Sequence, residues 1–486
     1  MRYRGWSATA TLLVMFLSVA LPVVPQEEEQ TQFEQWNDVL TYGIDSEVSD
    51  LIEQIEEQGT DRFDEQIADR FSATRSSALR IAIIQYFSRA ESDLIAEPVR
   101  LLFLSDDRLA DDLLRACVGY LSDVVHDSTS DVLDRYTEMA EGSNVLAATV
   151  AIGAMGRSGA ETAYEALIEL YEDVDSDDAK SAILRALGET GAVDAVPFLT
   201  GIVDDEYELS LFRQSAALSL GRIAAPESQD TLEQLLTSDD GVLRAYSIQA
   251  LGYYRNPEAA EALTTALRDS FWRVRVAALE ALAEQDDAEA LPAVAYKARH
   301  DPETPVRQAA IETLGHLGGD EAAVVLREIA ADTATSVALR LAALNVLAET
   351  DLDGSVDFLL ELAEEEWDAE GSQILDTIGR IASGHESPAL APLLTRLFRH
   401  PNYIIRIYAM RGFGRNGLTE FGDDVIAVAD DSPAGITRTT ALATLEQLGI
   451  DYIPPDERED ADGDPENSES EPDSSDGQSD DWSVDE

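Results

Sequence analysis

The sequence predicts an all-α protein, an α-solenoid of about twelve stacked helical hairpins that is followed by a disordered acidic tail. Apolar residues recur with helical spacing, the pattern repeats every 31 to 35 residues, and turn residues separate the helices. The repeat is clearest at 301–319, where Asp301-Pro302 opens a turn and Gly318-Gly319 ends a helix. One such hairpin cannot bury its apolar face alone, so we expect the hairpins to stack.

Twelve units align on one residue each, which we call the anchor. The residues four and seven places after the anchor are apolar in every unit, and Ser, Gly or Ala stands eight places after it in all but the last unit. This spacing is one face of a helix, and its small residues predict a close approach by a neighbouring helix. The anchors are Arg80, Leu114, Ala148, Lys180, Arg213, Arg244, Arg275, Arg307, Arg340, Gly371, Arg406 and Arg438.

The runs Val306–Gly315, Phe212–Gly221 and Leu339–Ala348 resemble short HEAT repeats, and the resemblance covers about residues 46–453. The resemblance implies the helical-repeat architecture and gives almost no information about activity. In the HEAT family a turn Asp and the anchor Arg form a ladder between successive repeats, and Asp301 with Arg307 matches that pair. His400 replaces the Asp and Gly371 replaces the Arg in two late units, so we expect a broken ladder there.

The first 25 residues have the features of an export signal. Arg2 and Arg4 precede the apolar run Leu12–Leu21, and the small residues Ser18 and Ala20 predict cleavage after Ala20. An uncleaved signal anchor is the alternative, although the apolar run is short for a membrane span. We therefore predict a signal peptide over 1–20 and a periplasmic or extracellular location in a bacterial cell envelope.

Composition divides the rest of the chain. Residues 21–45 are polar and predict a flexible lead-in, and the solenoid occupies 46–453 with Ser46–Gln58 as its N-terminal cap. Residues 454–486 form the tail, in which positions 456–486 hold 15 acids and one arginine. Such a segment cannot bury enough apolar surface to fold, so we predict disorder.

Acidic residues outnumber basic residues, with 96 Asp and Glu against 34 Lys and Arg. A net charge of −62 repels nucleic acid and anionic lipid, which argues against both as general partners. The spread of acids over all repeats favours adaptation to high salt, and calcium or a cationic partner is the other interpretation. The only cysteine, Cys117, is expected to be a small buried hydrophobe rather than a redox thiol.

No catalytic or cofactor motif stands out. The five histidines fall in different units, and the spacings typical of zinc sites are absent from the sequence. Among HEAT-repeat enzymes, the deoxyhypusine hydroxylases bind iron through several His-Glu pairs, and only His385-Glu386 has that form here. We therefore predict a cofactor-free scaffold that binds protein or peptide partners on its concave surface. The alternatives are a structural envelope spacer without a ligand and a HEAT-repeat enzyme such as a lyase.

One stretch departs from the acidic character of the chain. The 33 residues Ser387–Thr419 contain no acid, although they carry basic and aromatic residues. An anchor role and helix C-termini account for some of these bases, but not for the missing acids. We predict a basic patch that binds an acidic protein, a polyanion or the chain's own tail. Its residues are Arg396, Arg399, Tyr403, Arg406, Arg411 and Arg415.

Overall fold

The computed structural model describes residues 26–105, 109–142, 144–160, 162–285 and 287–455, with side chains from residue 32 onward. The predicted signal peptide and nearly all of the predicted tail lie outside these residues. The described residues form two compact units, one ending at Tyr254 and the other beginning at Arg255. Every regular element among them is a helix, which confirms the predicted all-α fold. None of these helices is both long and apolar enough to cross a bilayer.

The described part of the first unit contains fourteen α-helices and a short 3-10 helix, Val193–Ala195. The α-helices are α1 (Gln26–Tyr42), α2 (Asp45–Gln58), α3 (Asp64–Ala73), α4 (Ser77–Arg89), α5 (Ala96–Phe103), α6 (Asp111–Asp123), α7 (Ser130–Glu141), α8 (Val145–Arg157), α9 (Ala163–Asp173), α10 (Asp177–Thr190), α11 (Val196–Asp204), α12 (Ser210–Ile223), α13 (Pro226–Leu235) and α14 (Gly241–Leu251).

The described part of the second unit contains twelve α-helices and the 3-10 helices Ala288–Ala290, Pro388–Leu390 and Thr419–Phe421. The α-helices are α15 (Pro257–Ala266), α16 (Trp272–Gln285), α17 (Leu291–His300), α18 (Thr304–Leu317), α19 (Gly319–Ala331), α20 (Val337–Thr350), α21 (Leu352–Glu365), α22 (Gln373–Gly384), α23 (Ala391–Phe398), α24 (Tyr403–Arg415), α25 (Gly422–Asp431) and α26 (Ile436–Gln447).

Consecutive helices pair into hairpins, and we call the odd-numbered member the first helix and the even-numbered member the second helix. In the first unit the second helices from α4 to α14 pack on one another in chain order, and in the second unit those from α16 to α26 do the same. The second helices therefore form one layer in each unit, which we call the second-helix layer, and the first helices lie in another. Each hairpin buries its apolar face against its neighbours, as the sequence predicts for a solenoid.

The predicted flexible lead-in over 21–45 is wrong for residues 26–42, which form α1. Trp36 and Leu40 are buried, and the rings of Phe33 and Trp36 pack against Phe63 with centroid separations of 5.9 and 5.8 Å. Residues 33, 36 and 40 share one helix face, but the many acids and glutamines around them hide this short apolar pattern. α1 packs on α2 and α3, so α1 rather than Ser46–Gln58 caps the first unit.

Small residues eight places after the anchors allow neighbouring second helices to approach closely. A Cβ atom added to Gly221 would lie 2.5 Å from Ala250 Cα in α14, and one added to Gly188 would lie 2.8 Å from Ser219 Cα in α12. Carbon atoms do not approach this closely without displacement of the backbone, so these positions require glycine. The small-residue pattern in the sequence thus reports direct helix contact.

Cys117 is fully buried in α6, as the sequence predicts for a small hydrophobe. Burial raises the pKa of its thiol to about 12. The side chain is therefore a neutral thiol at physiological pH, and it contributes to the packing of the core.

Anchor arginines join successive hairpins of the second unit. The Arg275 guanidinium donates from Nη2 to Asp301 Oδ1 at 2.7 Å and from Nε to Oδ2 at 2.9 Å, and Asp301 is the turn residue of the next hairpin. Lys297 Nζ donates to the same carboxylate at 3.1 Å. Burial raises the pKa of Asp301, but hydrogen bonds from Arg275, the Glu303 N–H and Lys297 outweigh it and hold the pKa below the usual value.

The next two anchors make the same kind of contact, which we call a rung. Arg307 donates to Thr335 Oγ1 at 3.0 Å, and Arg340 donates to Glu366 Oε1 at 3.3 Å. A rung therefore connects the anchor of one hairpin with the turn that precedes the anchor of the following hairpin.

The predicted break in the ladder is one missing rung, but Gly371 is not the residue that stands in place of the arginine. In every other second helix from α4 to α24 the anchor is the fourth residue, whereas Gly371 lies before α22 begins and the fourth residue of α22 is Asp376. Asp376 and His400 therefore stand at the two ends of the missing rung.

His400 keeps the turn closed, since its Nδ1 accepts the Asn402 N–H at 3.0 Å, as Asp301 accepts an N–H in its own turn. The Nε2–H of His400 donates to the Trp367 carbonyl at 3.0 Å. Arginine and aspartate are lost together here, so neither leaves an unpaired charge.

The first unit has a charge ladder of its own, which the sequence pattern did not reveal. Arg157 lies between Asp123 and Glu189, at 2.7 and 3.7 Å, and Arg222 contacts the other oxygen of Glu189 at 3.5 Å. Each of these residues stands nine places after its anchor, so the ladder joins four successive hairpins. The side chains are partly exposed, and such pairs contribute roughly 0.2–1 kcal/mol each.

Candidate protein-binding site

The six residues of the predicted basic patch lie on α23, on α24 and in the turn between them. The surrounding space is not free of acids, because the preceding hairpin supplies them. Arg396 in α23 forms a bidentate ion pair with Glu364 of α21, with Nη2 at 2.8 Å from Oε2, and its guanidinium lies 3.4 Å from the Trp367 ring centroid. The hydrogen bonds between Arg396 and Glu364 lower the pKa of Glu364 and raise that of Arg396. Arg396 is therefore occupied by a contact between hairpins.

Three patch residues lie near the turn between α23 and α24. Arg399 is exposed at the C-cap of α23, and Tyr403 is exposed at the first position of α24. Arg406 is half-buried, and its Nε has no hydrogen-bond partner among the described residues, whereas Nε of Arg340 donates to the Ala330 carbonyl at 2.7 Å. Arg406 thus holds the position of an anchor without the anchor's usual bond.

The remaining two arginines share one face of α24. Arg411 and Arg415 are exposed and four residues apart, and Ile404 and Tyr408 continue the same face toward the N-terminus. Arg415 Nε donates to the Ser383 carbonyl at 3.0 Å, which leaves the terminal nitrogens of its guanidinium available. Arg411 forms no ion pair within the part of the chain that the structure describes. We call Arg411 and Arg415 the α24 arginine pair.

An acid also borders this face. Tyr408 Oη donates to Asp376 Oδ1 in α22 at 3.1 Å, and burial followed by the charge of Asp376 raises the pKa of the phenol. The predicted patch is thus divided. Arg396 faces the first-helix layer, whereas the α24 arginine pair borders α22 in the second-helix layer.

A larger feature, which the sequence pattern did not single out, lies in the first unit. A groove of about 1,040 Å³ lies between the exposed sides of α4 and α6 on the second-helix layer. Its floor consists of buried and half-buried residues, namely Ile81, Ile84, Ala116, Gly119, Tyr120 and Val124. Its rim consists of exposed polar and charged residues, namely Gln85, Glu91, Asp112, Arg115, Asp123 and His126.

The groove is open because no side chain covers Gly119 of α6. No atom lies within 4 Å of the place where a Cβ would stand at Gly119. The next hairpin has Gly153 at the equivalent position, five places after its anchor, and there Arg157 Nη1 lies 3.0 Å from the added Cβ. Arg157 is held over Gly153 by the charge ladder, so the difference between the two glycines depends on a contact between hairpins.

Some charged residues of the rim form ion pairs and others do not, and two rim residues have uncommon backbone geometry. Asp112 pairs with Arg115 at 3.0 Å and Asp123 pairs with Arg157, while Glu91 forms no ion pair within the described residues. Glu91 and His126 have φ angles of +49° and +50°, in the left-handed region that non-glycine residues rarely adopt. Strained residues of this kind cluster at functional sites, which is an observation in favour of the groove.

The described side chains offer no group of three or more His, Cys, Asp or Glu residues that could hold a metal ion. The groove presents apolar area with a polar rim, and the α24 arginine pair presents positive charge.

Sequence comparison places these hairpins in one family. The family described as "Spirochaete HEAT repeat protein" matches residues 40–444. The chain belongs to this family. As in the resemblance noted above, HEAT membership accounts for the helical hairpins, and the match includes the groove, both ladders and the α24 arginine pair. No curated protein matches the sequence.

Several solved structures are similar to this chain at low identity. Kap121p is 14% identical with a TM-score of 0.41, and the match covers 87% of this chain and 57% of Kap121p. The complex of CpcE and CpcF, the phycocyanin lyase from Nostoc sp. PCC7120, is 17% identical with a TM-score of 0.29, and the match covers 59% of this chain and 94% of that one. Human deoxyhypusine hydroxylase is 18% identical with a TM-score of 0.26, over 58% of this chain and 95% of the enzyme. The chain therefore spans little more than half of the karyopherin, and the likeness concerns the helical-repeat fold alone.

Proposed function

We propose that this chain is a non-enzymatic scaffold of the bacterial cell envelope, exported to the periplasm or the cell exterior, that binds protein or peptide partners. The groove between α4 and α6 is the observation that supports it most directly. An apolar floor inside a charged rim is the usual anatomy of a protein interface. The export signal that the sequence predicts over residues 1–20 is the feature that supports the location.

A peptide segment fits the groove better than a small ligand does. Its volume of about 1,040 Å³ reaches the upper end of small-ligand pockets, which span roughly 300–1,000 Å³. It is bounded by two neighbouring helices, which is the arrangement that accepts an amphipathic helix or an extended segment. The occupant that we propose is a segment of a partner protein with apolar side chains facing the floor.

Two other functions remain as alternatives. A structural spacer without a ligand needs no uncovered apolar floor, and an exposed apolar patch favours association. The enzyme alternative, such as a lyase, has its support in the fold, since similar folds include a lyase and a hydroxylase. The groove and the α24 arginine pair favour binding over both.

Gly119→Arg tests the groove. An arginine at this position places a guanidinium over the floor, as Arg157 does over Gly153, so we expect capture of a discrete partner from envelope extract to fall about tenfold or more. Affinity capture with quantitative mass spectrometry measures this. Gly201→Arg is the matched control, because Gly201 is exposed in α11 and no atom lies within 4 Å of its added Cβ. Equal capture by both variants contradicts the groove, and the absence of any discrete partner favours the spacer.

The α24 arginine pair favours a second contact with an acidic segment, and the chain's own tail is one such segment. α26 packs directly on α24, and the tail begins only a few residues after α26 ends. Residues 456–486 carry 15 acids and one arginine, so their charge complements the pair. A short tether raises the effective concentration of the tail at α24 to about the millimolar range. The tail therefore competes with any external acidic partner at this face.

Deletion of residues 456–486 tests this competition. We expect the shortened chain to bind poly-glutamate several-fold more tightly at moderate salt, and Arg411→Glu with Arg415→Glu to abolish the gain. The charge-matched control is Arg268→Glu with Arg273→Glu, which changes two exposed arginines of the same unit. This control should retain the gain in poly-glutamate binding. Equal binding with and without the tail rejects the competition. A gain that persists in the α24 variant assigns the pair a structural role.

A further inference from the structure

A cavity of about 480 Å³ lies at the missing rung of the second unit. Its wall includes both ends of that rung, Asp376 in the first turn of α22 and His400 in the turn between α23 and α24. At the equivalent position of earlier hairpins, an anchor arginine such as Arg275 or Arg340 extends to the next turn. The cavity is therefore the space that an arginine side chain occupies elsewhere in the same unit.

The wall of this cavity retains groups suited to an arginine. Leu375, Ile404 and Ile405 provide apolar contact for an aliphatic stem, and neither lysine nor arginine contributes to the wall. Three carboxylates stand around it, from Asp368, Glu370 and Asp376. The aliphatic stem and the cation of an arginine thus each meet a matching surface.

Two of the three carboxylates are available to a ligand. Asp376 already accepts from Tyr408 Oη at 3.1 Å and lies 3.4 Å from Arg380. Asp368 and Glu370 are exposed and form no ion pair among the described residues. The uncompensated charge of the cavity is therefore negative, which complements a guanidinium.

We propose that this cavity binds the side chain of an arginine from a protein or peptide partner, which takes the place of the missing anchor arginine. This inference rests on the proposed scaffold function for the source of the arginine. Arginine suits the site better than lysine, because its planar guanidinium binds a carboxylate through two parallel hydrogen bonds, as Arg275 binds Asp301. The partner completes the ladder, so its binding joins two hairpins of the second unit.

A single-arginine peptide tests the proposal. The probe is a blocked heptapeptide of glycine and serine with a central arginine, and its matched control carries citrulline, the neutral isostere, at that position. We expect the full-length chain to bind the arginine peptide about tenfold or more tightly than the citrulline peptide, since hydrogen bonds to a charged group are the stronger ones. A ligand-observed NMR titration at low salt measures both affinities, and a central lysine should give an intermediate value.

Two variants locate the binding. Asp368→Asn with Glu370→Gln removes the available charges from exposed positions and should remove most of the preference for arginine. Asp357→Asn with Glu361→Gln removes two exposed charges of α21 outside the cavity and should leave the preference unchanged. Asp376→Arg places an arginine at the anchor position of α22 and should block the peptide. Asp376 accepts a hydrogen bond from Tyr408, so a thermal melt must confirm that this variant folds.

Equal affinity for the arginine and citrulline peptides overturns the proposal, and so does an arginine preference that survives Asp368→Asn with Glu370→Gln. Either result leaves the proposed scaffold function intact, because the Gly119→Arg test reports on a groove in the other unit. Loss of partner capture in that test with no arginine preference here means that the scaffold binds its partner without this cavity.

Discussion

Replacing Asp301 with alanine should lower the free energy of unfolding of the second unit by about 3–5 kcal/mol. Asp301 is the most completely buried acid of the rungs, and its side chain is fully buried while that of Arg275 is 7% exposed. The substitution leaves Arg275 and Lys297 without their carboxylate, and a buried cation without a partner is strongly destabilising. Urea denaturation followed by far-UV circular dichroism measures the loss.

Asp357→Ala is the control, because Asp357 is exposed in α21 and its loss should change stability by less than about 0.5 kcal/mol.

The effect of Asp301→Ala should also depend on pH. The pKa of Asp301 is lower in the folded chain than its ordinary value of 3.8, so its contribution is fully present above pH 3.8 and is lost as pH falls through the folded pKa. A variant that loses less than 1 kcal/mol at neutral pH contradicts the structural role of the rung.

Replacing Gly221 with alanine should destabilise the first unit by roughly 1–3 kcal/mol, although alanine is the better helix former. The added methyl group would lie 2.5 Å from Ala250 Cα and 2.6 Å from Ala250 Cβ and O, so α12 and α14 must move apart. Helix backbone cannot yield as a flexible side chain does, and the displacement affects the whole contact between the two hairpins.

Gly201→Ala is the same change at a place with free space, and we expect the opposite sign. No atom lies within 4 Å of the added Cβ in α11, so the gain in helix propensity, roughly 0.5–1 kcal/mol, remains. Thermal denaturation of both variants against the parent chain measures the pair. No destabilisation by Gly221→Ala would show that the approach of α12 to α14 is looser than the structure shows, and destabilisation by Gly201→Ala would contradict the free space at that position.

The groove and the missing rung have a common origin in the repeat. A position that a long side chain covers in one hairpin is left open in another, as Arg157 covers Gly153 while Gly119 stays open. A regular solenoid offers the same surface many times, so a partner can recognise only the hairpins that depart from the pattern. Departures from the repeat are therefore the places where we expect partner contacts.

The acid-free stretch 387–419 shows how far linear composition describes a surface. No acid stands next to its arginines in the sequence. In the structure, however, Arg396 pairs with Glu364, and Asp376 borders the face of Arg411 and Arg415. These acids lie about one repeat earlier in the sequence. In a solenoid every surface residue has neighbours from the hairpins before and after it, so a window along one hairpin sees only part of its surroundings.

The helical hairpins, except for the one that contains α1, and the glycines at their contacts could be predicted from the sequence, because apolar spacing within one helix is a local property that repeats. The sequence analysis did not predict α1, because the few apolar residues on its buried face stand among many polar residues. The partners of Arg275 and Arg157, the open floor beside Gly119 and the cavity at Gly371 could not be predicted. Each depends on the register in which one hairpin packs on the next, and that register arises from contacts between residues about 30 positions apart.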